Sequence, residues 1–254
     1  TLAPATASAE GETYVIATDI TFEPFEFQDA SGKFVGIDID LINEIAASQN
    51  FTVTIKPLGF DAALQAVQAN QADGVIAGMS ITDERKKVFD FSDPYFESGV
   101  QMAVLDTNED IKSYEDLRGK RGAVKNGTEG AEFAESIKDE YGFTTVYFAD
   151  SASMFDEVRT GNSQAVFEDY PVLQYGIAQG NGFKTVTPKE KGASYGFAVN
   201  KGHNAELLQK FNAGLASLKE SGRYDRILDT YLGQGASGAD NSFLGLLKST
   251  FPIL

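Results

Sequence analysis

A run of strand length followed by apolar residues at helical spacing occurs in both halves of this chain, and no other feature limits its fold so tightly. In the first half residues 14–18 read as a strand, 36–48 as a helix carrying Ile37, Leu41, Ile42, Ile45 and Ala46 on one face, and 51–55 as an alternating strand. Residues 61–69 are again helical, and 74–77 form a buried strand. In the second half 121–125, 144–148 and 164–167 read as strands, separated by helices over 129–139 and 152–159. Strands that alternate with helices build an α/β unit around a largely parallel sheet. A late strand at 195–200 and helices over 207–219 and 224–231 can complete either half. Two such lobes leave a cleft between them, which is where ligand sites prefer to lie.

Residues 75–96, VIAGMSITDERKKVFDFSDPYF, join an apolar strand to a small-residue turn and then to an arginine. Thr82 is a good helix N-cap, with Asp83 and Glu84 in the first turn, where the helix dipole favours negative charge. Arg85 breaks that pattern. A local rule broken without evident gain marks a functional position, and a cation beside free N–H groups at a helix start makes an anion pocket. The expected guest carries a carboxylate.

Composition removes several classes of function. The formal charge of -16 over 254 residues argues against nucleic acid or an anionic membrane as partner, since both need clustered Lys and Arg. The absence of cysteine excludes disulfides, iron–sulfur clusters and thiolate metal sites. The single histidine, His203, sits in a polar KGHN turn, so a histidine zinc site or a Ser-His-Asp triad would hang on that one residue. No metal and no cofactor is expected. Residues 1–12 read as a linker, and 234–254 as a turn-rich linker running into an apolar segment, FLGLLKSTFPIL.

In open α/β sheets, ligands bind beyond the carboxyl ends of strands. Asp19 and Phe22 follow the first strand, Phe60 opens a helix, and Gly78 and Ser80 precede Arg85. The second half places Lys125, Gly127 and Thr128 after one strand and Glu168 and Asp169 after another. A cationic group on one lobe and an anionic strand end on the other match a free α-amino acid. Burying a zwitterion costs several kcal/mol per charge unless both ends are paired. Arg85 can fork onto the carboxylate with the Ser80 and Thr128 N–H groups, while Asp169 and the Gly78 carbonyl take the ammonium. Gly78 and Gly127 let the backbone approach closely.

At these positions the sequence resembles the extracellular solute-binding proteins of polar amino acid ABC importers, family 3, and among them the glutamine-binding type. The resemblance rests on ATDITFEPFEF at 17–27, GIDIDL at 36–41, AGMSITDERKKVFDFS at 77–92, AVKNGT at 123–128 and YGFAV at 195–199. It implies two Rossmann-like lobes of the periplasmic binding protein type 2 fold: 13–96 with 196–233, and 97–195, joined by hinge strands near 95–99 and 191–195. It also implies that Arg85, Ser80 and Thr128 hold the ligand carboxylate and Asp169 its ammonium. Phe22 and Phe60 would sandwich the ligand, Lys125 would donate to its carboxamide oxygen and Asp19 accept from its nitrogen. Glu129 and Glu168 depart from the family pattern and add negative charge, which disfavours glutamate and leaves asparagine or a basic amino acid open.

The resemblance further implies no catalysis, a membrane permease as partner, and a location outside the cell membrane, either anchored or fused to that permease. A cyclohexadienyl-type dehydratase on the same fold, with Glu168 or Glu129 as general acid, and a ligand-sensing receptor module are the alternatives.

Overall fold

The computed structural model describes residues 11–233. The readings of 1–10 as linker and of 234–254 as linker and apolar segment lie outside the described residues. In chain order the elements are β1 (Thr13–Thr18), β2 (Phe27–Gln28), β3 (Phe34–Val35), α1 (Ile37–Ser48), β4 (Thr52–Pro57), α2 (Phe60–Gln68), β5 (Gly74–Val75), β6 (Phe89–Phe91) and β7 (Phe96–Leu105). They continue with β8 (Arg121–Lys125), α3 (Glu129–Tyr141), β9 (Thr144–Phe148), α4 (Ser151–Arg159), β10 (Ala165–Asp169), α5 (Tyr170–Ala178), β11 (Phe183–Thr185), β12 (Glu190–Tyr195), β13 (Ala198–Asn200), α6 (Ala205–Glu220) and α7 (Arg223–Leu232).

Apart from β2 and β3, which pair antiparallel with each other, these strands form two mixed sheets. The first runs β4-β1-β5-β13-β6, with β4 and β5 parallel to β1 and β13 antiparallel to β5. The second runs β11-β7-β10-β8-β9, with β8 parallel to both β9 and β10, and β12 added along β7. Each parallel core is the expected product of βα alternation, since a crossover helix returns the chain in the same direction. In the first half α1 buries Ile37, Leu41, Ile42 and Ile45 in one core with Leu207, Phe211, Leu215 and Leu218 of α6. The late helix therefore completes the first sheet, with Phe211 stacked on Phe197 at 4.6 Å between ring centroids.

The chain passes between the sheets twice, and the two passages run side by side. β7 and β12 pair antiparallel, with Tyr195 opposite Phe96. Beyond that register the Tyr95 N–H donates to the Tyr195 carbonyl at 2.9 Å, and the Ser92 N–H to the Phe197 carbonyl at 2.8 Å. A third backbone link joins this ribbon to the loop after β5, through Ile81 N–H to the Ser194 carbonyl and Gly196 N–H to the Met79 carbonyl.

The structure differs from the sequence reading at several points. The segment behind Thr82 is not an α-helix but a single 3-10 turn, Arg85–Lys87, before β6 takes the chain away. The Thr82 hydroxyl does accept from the Arg85 N–H, at 3.2 Å. A one-turn element has no macrodipole to oppose a cation, so Arg85 breaks no helix rule and the anion-pocket argument from a helix start does not apply. The strand at 74–77 is only Gly74–Val75, and the continuous strand β7, the helix α5 and the edge strand β11 carried no clear periodicity. β7 is buried on both faces, so its apolar residues do not alternate.

Candidate functional site

A cleft between the two sheets gathers almost every residue singled out from the sequence. Phe22, Phe60, Ala77, Gly78, Ser80 and Arg85 line it from one side, and Lys125, Thr128, Glu129, Glu168 and Asp169 from the other. Asp19 is joined to it through Lys125, and Gly127 through Arg85.

Arg85 is 8% exposed and spans the cleft. Nη1 donates to the Ser80 carbonyl at 2.8 Å, and Nη2 to the Gly127 carbonyl at 2.9 Å. Its guanidinium carbon lies 5.3 Å from the centre of the Phe60 ring, at the start of α2. Ser80 faces Tyr195 in an isolated antiparallel bridge whose hydrogen bonds are made by the residues on either side. Its own N–H and carbonyl therefore point away from Tyr195, to the side where Arg85 holds the carbonyl. Arg85 has spent two of five N–H donors, which leaves enough for a bidentate carboxylate.

Gly78 has φ +51, and a Cβ there would meet the Phe22 ring at 2.3 Å. Both the backbone conformation and the close approach call for glycine. The Gly78 N–H donates to Asp38 Oδ2 at 2.7 Å, which fixes the peptide that faces the cleft.

Two strand ends of the second sheet each lead straight into a helix. Thr128 caps α3: its hydroxyl accepts from the Ala131 N–H at 3.2 Å and donates to the Lys125 carbonyl at 2.8 Å. Asp169 occupies the same position before α5 but makes no side-chain capping bond. Its Oδ2 accepts from the Tyr195 hydroxyl at 2.7 Å instead. An Asp that leaves its helix uncapped to face a cleft is aimed at something else. Burial, reinforced by the charge of Glu168, pushes the Asp169 carboxyl up to about 7.

Lys125 and Asp19 do not stand apart as separate donor and acceptor. Lys125 Nζ donates to Asp19 Oδ2 at 2.7 Å, with the two side chains 2% and 0% exposed. Nζ also donates to Ser151 Oγ at 2.9 Å, and Ser151 in turn donates to Glu168 Oε2 at 2.7 Å. The ammonium sits 4.3 Å from the centre of the Phe22 ring. Burial pulls the Lys125 ammonium down, but the Asp19 and Glu168 carboxylates outweigh it and hold it above the ordinary lysine value.

Ser151 and Tyr195 were absent from the sequence list of site residues. Both carried a usable position signal: Ser151 follows the strand 144–148 just as Lys125 ends its own strand, and Tyr195 opens the YGFAV motif.

Behind the cleft, Glu26 and Asp38 are both 0% exposed, and neither oxygen of the Glu26 carboxyl nor Asp38 Oδ1 has a hydrogen-bond partner. Asp38 Oδ2 also accepts from the Tyr95 hydroxyl at 2.9 Å. Burial and the neighbouring Asp38 and Asp19 charges push the Glu26 carboxyl well above the usual range; burial pushes Asp38 up to about 7. A raised acid stabilises the fold below its unfolded value and loses that contribution as pH rises toward its folded one. Urea unfolding should therefore show native stability falling from pH 5 to pH 8 relative to Glu26→Gln, by up to about 1.4 kcal/mol per pH unit for one proton. A parallel pH dependence in the two proteins would show that Glu26 ionises freely.

With this geometry in view, the family is plain: the chain belongs to the bacterial extracellular solute-binding proteins, family 3, whose model matches residues 14–234. Its relatives are amino-acid-binding proteins of ABC importers with the periplasmic binding protein type 2 fold. A probable histidine-binding protein of Neisseria gonorrhoeae is 32% identical over 90% of this chain and 86% of its own. Substrate-binding domain 2 of Lactococcus lactis GlnP, solved in an open conformation, is 44% identical over 89% of this chain and 97% of its own, with a TM-score of 0.61. An ancestral arginine-binding protein bound to glutamine is 42% identical over 87% and 98%, with a TM-score of 0.81. The relatives carry names of binding proteins. Among the described residues no helix is long and apolar enough to cross a membrane, and no cluster of His, Asp and Glu has the arrangement of a metal site.

Proposed function

We propose that this chain captures L-glutamine in the cleft by closure of two lobes, 13–96 with 196–233 and 97–195, and delivers it to the membrane permease of an ABC importer outside the cell membrane. The ribbon of β7 and β12, with residues 95–99 and 191–195, is the hinge. Arg85 takes the α-carboxylate with Ser80 and Thr128, and Asp169 takes the ammonium. Phe22 and Phe60 form the walls. Asparagine and glutamate are the nearest competitors.

The observation that carries this reading is the internally neutralised Lys125–Asp19 pair, fully buried beside a cleft that also holds Arg85 and Asp169. A side chain meeting that pair finds both a donor and an acceptor and no net charge, which suits a carboxamide better than an ammonium or a carboxylate. Ancestral arginine-binding proteins bound to glutamine and to arginine are both similar to this chain, and they support an amino acid ligand without choosing between the two.

Titration calorimetry against the twenty amino acids tests it. Glutamine should bind with a dissociation constant of roughly micromolar size, about -8 kcal/mol. Silence with every polar amino acid would overturn the proposal, and tighter binding of another one would reassign the ligand.

A further inference from the structure

Of the carboxylates that line the cavity, Asp169 and Glu168 are tied down. Asp169 accepts from the Tyr195 hydroxyl, and Glu168 from the Ser151 hydroxyl and the Asp169 N–H. Glu129, the first residue of α3, is held differently: its Oε2 is buried without a hydrogen-bond partner. Facing it across the cavity are Arg85 and Ser80. Arg85 turns Nη1 and Nη2 to the Ser80 and Gly127 carbonyls, so its attraction for Glu129 acts through space and not through a bond. Burial raises the Glu129 carboxyl, while the Arg85 charge and the Ser80 side chain draw it back. Burial likewise lowers the Arg85 guanidinium, and Glu129 is the leading charge that opposes the loss.

Glu129 follows directly on Thr128, and Thr128, Ser80 and Arg85 are the residues proposed to hold the α-carboxylate. An entering carboxylate and that of Glu129 therefore depend on the same cation at the same end of the ligand. Two anions beside one arginine in a site shielded from water repel each other strongly. Glu129 is a poor candidate for the ammonium in exchange, because its main polar neighbours are Arg85 and Ser80, and Asp169 feels it only as a like charge weaker than Glu168.

We infer that Glu129 is an internal rival of the ligand's α-carboxylate: it shares Arg85 with every α-amino acid that enters the cleft and lowers the affinity for all of them alike, whatever side chain they carry. This rests on the proposed placing of the carboxylate at Arg85, Ser80 and Thr128, and not on the choice of glutamine. The effect lies mainly in the rate of release, which suits a protein that must hand its ligand on. A purely structural Glu129 makes the opposite prediction. A carboxylate in the first turn of α3 is favoured by the helix dipole, so its loss would lower stability and leave binding unchanged or weaker.

Calorimetry at pH 8 on the wild type, Glu129→Gln, Glu129→Ala and Glu132→Gln, with glutamine and every other amino acid that the wild type binds, tests the inference. Glu129→Gln and Glu129→Ala should each bind about tenfold more tightly, by the same factor for each amino acid. Glu132, exposed one turn further along α3, is screened by solvent, and Glu132→Gln should bind as the wild type does. Affinity that is unchanged or weaker in a folded Glu129 variant overturns the inference. So does a gain confined to one side chain, or one equally large in Glu132→Gln. Thermal unfolding in acetate against chloride at equal ionic strength gives a second readout, since acetate carries the carboxylate alone. Acetate should raise the melting temperature of Glu129→Gln more than that of the wild type. If the wild type binds an amino acid other than glutamine, the glutamine reading falls and the rivalry is measured on that ligand. If it is silent to all of them, acetate decides, and equal shifts in the two proteins overturn the inference.

Discussion

Replacing Arg85 by alanine should weaken amino acid binding by about 3 kcal/mol or more, roughly a hundredfold or greater, while leaving the unliganded protein folded. The size of the effect comes from what the ligand is left with. A carboxylate drawn into the cleft would have lost its water and would face Glu129, Glu168 and Asp169 without the guanidinium that offsets them. The same substitution also removes the link from the Ser80 carbonyl to the Gly127 carbonyl, so closure loses a bond that joins the two sides. In the unliganded protein both carbonyls can be hydrated once the cleft relaxes, which is why the melting temperature should move little. Arg85→Lys keeps the charge but cannot fork onto a carboxylate while holding two carbonyls, and it should fall between the two. Calorimetry and thermal unfolding on the three proteins provide the check. An unchanged dissociation constant in Arg85→Ala would mean that the arginine serves only to brace the loop after β5.

The second large effect is expected at Asp169, where pH and mutation should tell one story. Burial and Glu168 raise this carboxyl to about 7 in the unliganded protein, while the ligand's ammonium selects the ionised form. Binding below that value must therefore expel a proton, so affinity should be level near pH 8 and fall by up to about tenfold per unit as pH drops below 7. Calorimetry at pH 6 in two buffers of different ionisation enthalpy should detect proton release, and at pH 8 it should detect little. Asp169→Asn should lose about 3 kcal/mol or more at pH 8 and lose the pH dependence as well, because the remaining amide cannot ionise. The Tyr195 hydroxyl that donates to Asp169 still finds an oxygen in the asparagine, which keeps the ribbon at β12 in place. A wild-type affinity that stays flat from pH 6 to pH 8 would show that Asp169 is not the ammonium partner.

The contrast between Arg85 and Asp169 illustrates what could be read from the chain and what could not. Both were recognised as charged residues next to strand ends, and the α/β alternation placed those ends on the cleft side of each sheet. Arg85 was singled out for a reason that does not hold, a cation in the first turn of an α-helix, because a single 3-10 turn and the start of a helix share the same Thr-Asp-Glu signal. Its importance rests instead on a bond to Gly127, 42 residues away in sequence. Asp169 reads from the sequence as the ammonium partner, and its turn toward Tyr195 separates it from Thr128, which caps its helix.

By itself the sequence determined the secondary elements with strong periodicity, the presence of two βα units, and the set of polar residues at strand ends. These depend on local spacing and propensity, which a chain carries wherever it goes. The tertiary structure alone decided which of those charges neutralise one another. Lys125 and Asp19 lie 106 residues apart, and Ser151 enters only because α4 begins beside β8. An ion pair deep in a cleft is fixed by desolvation and by geometry to within about an ångström, and neither is encoded in any short stretch of sequence.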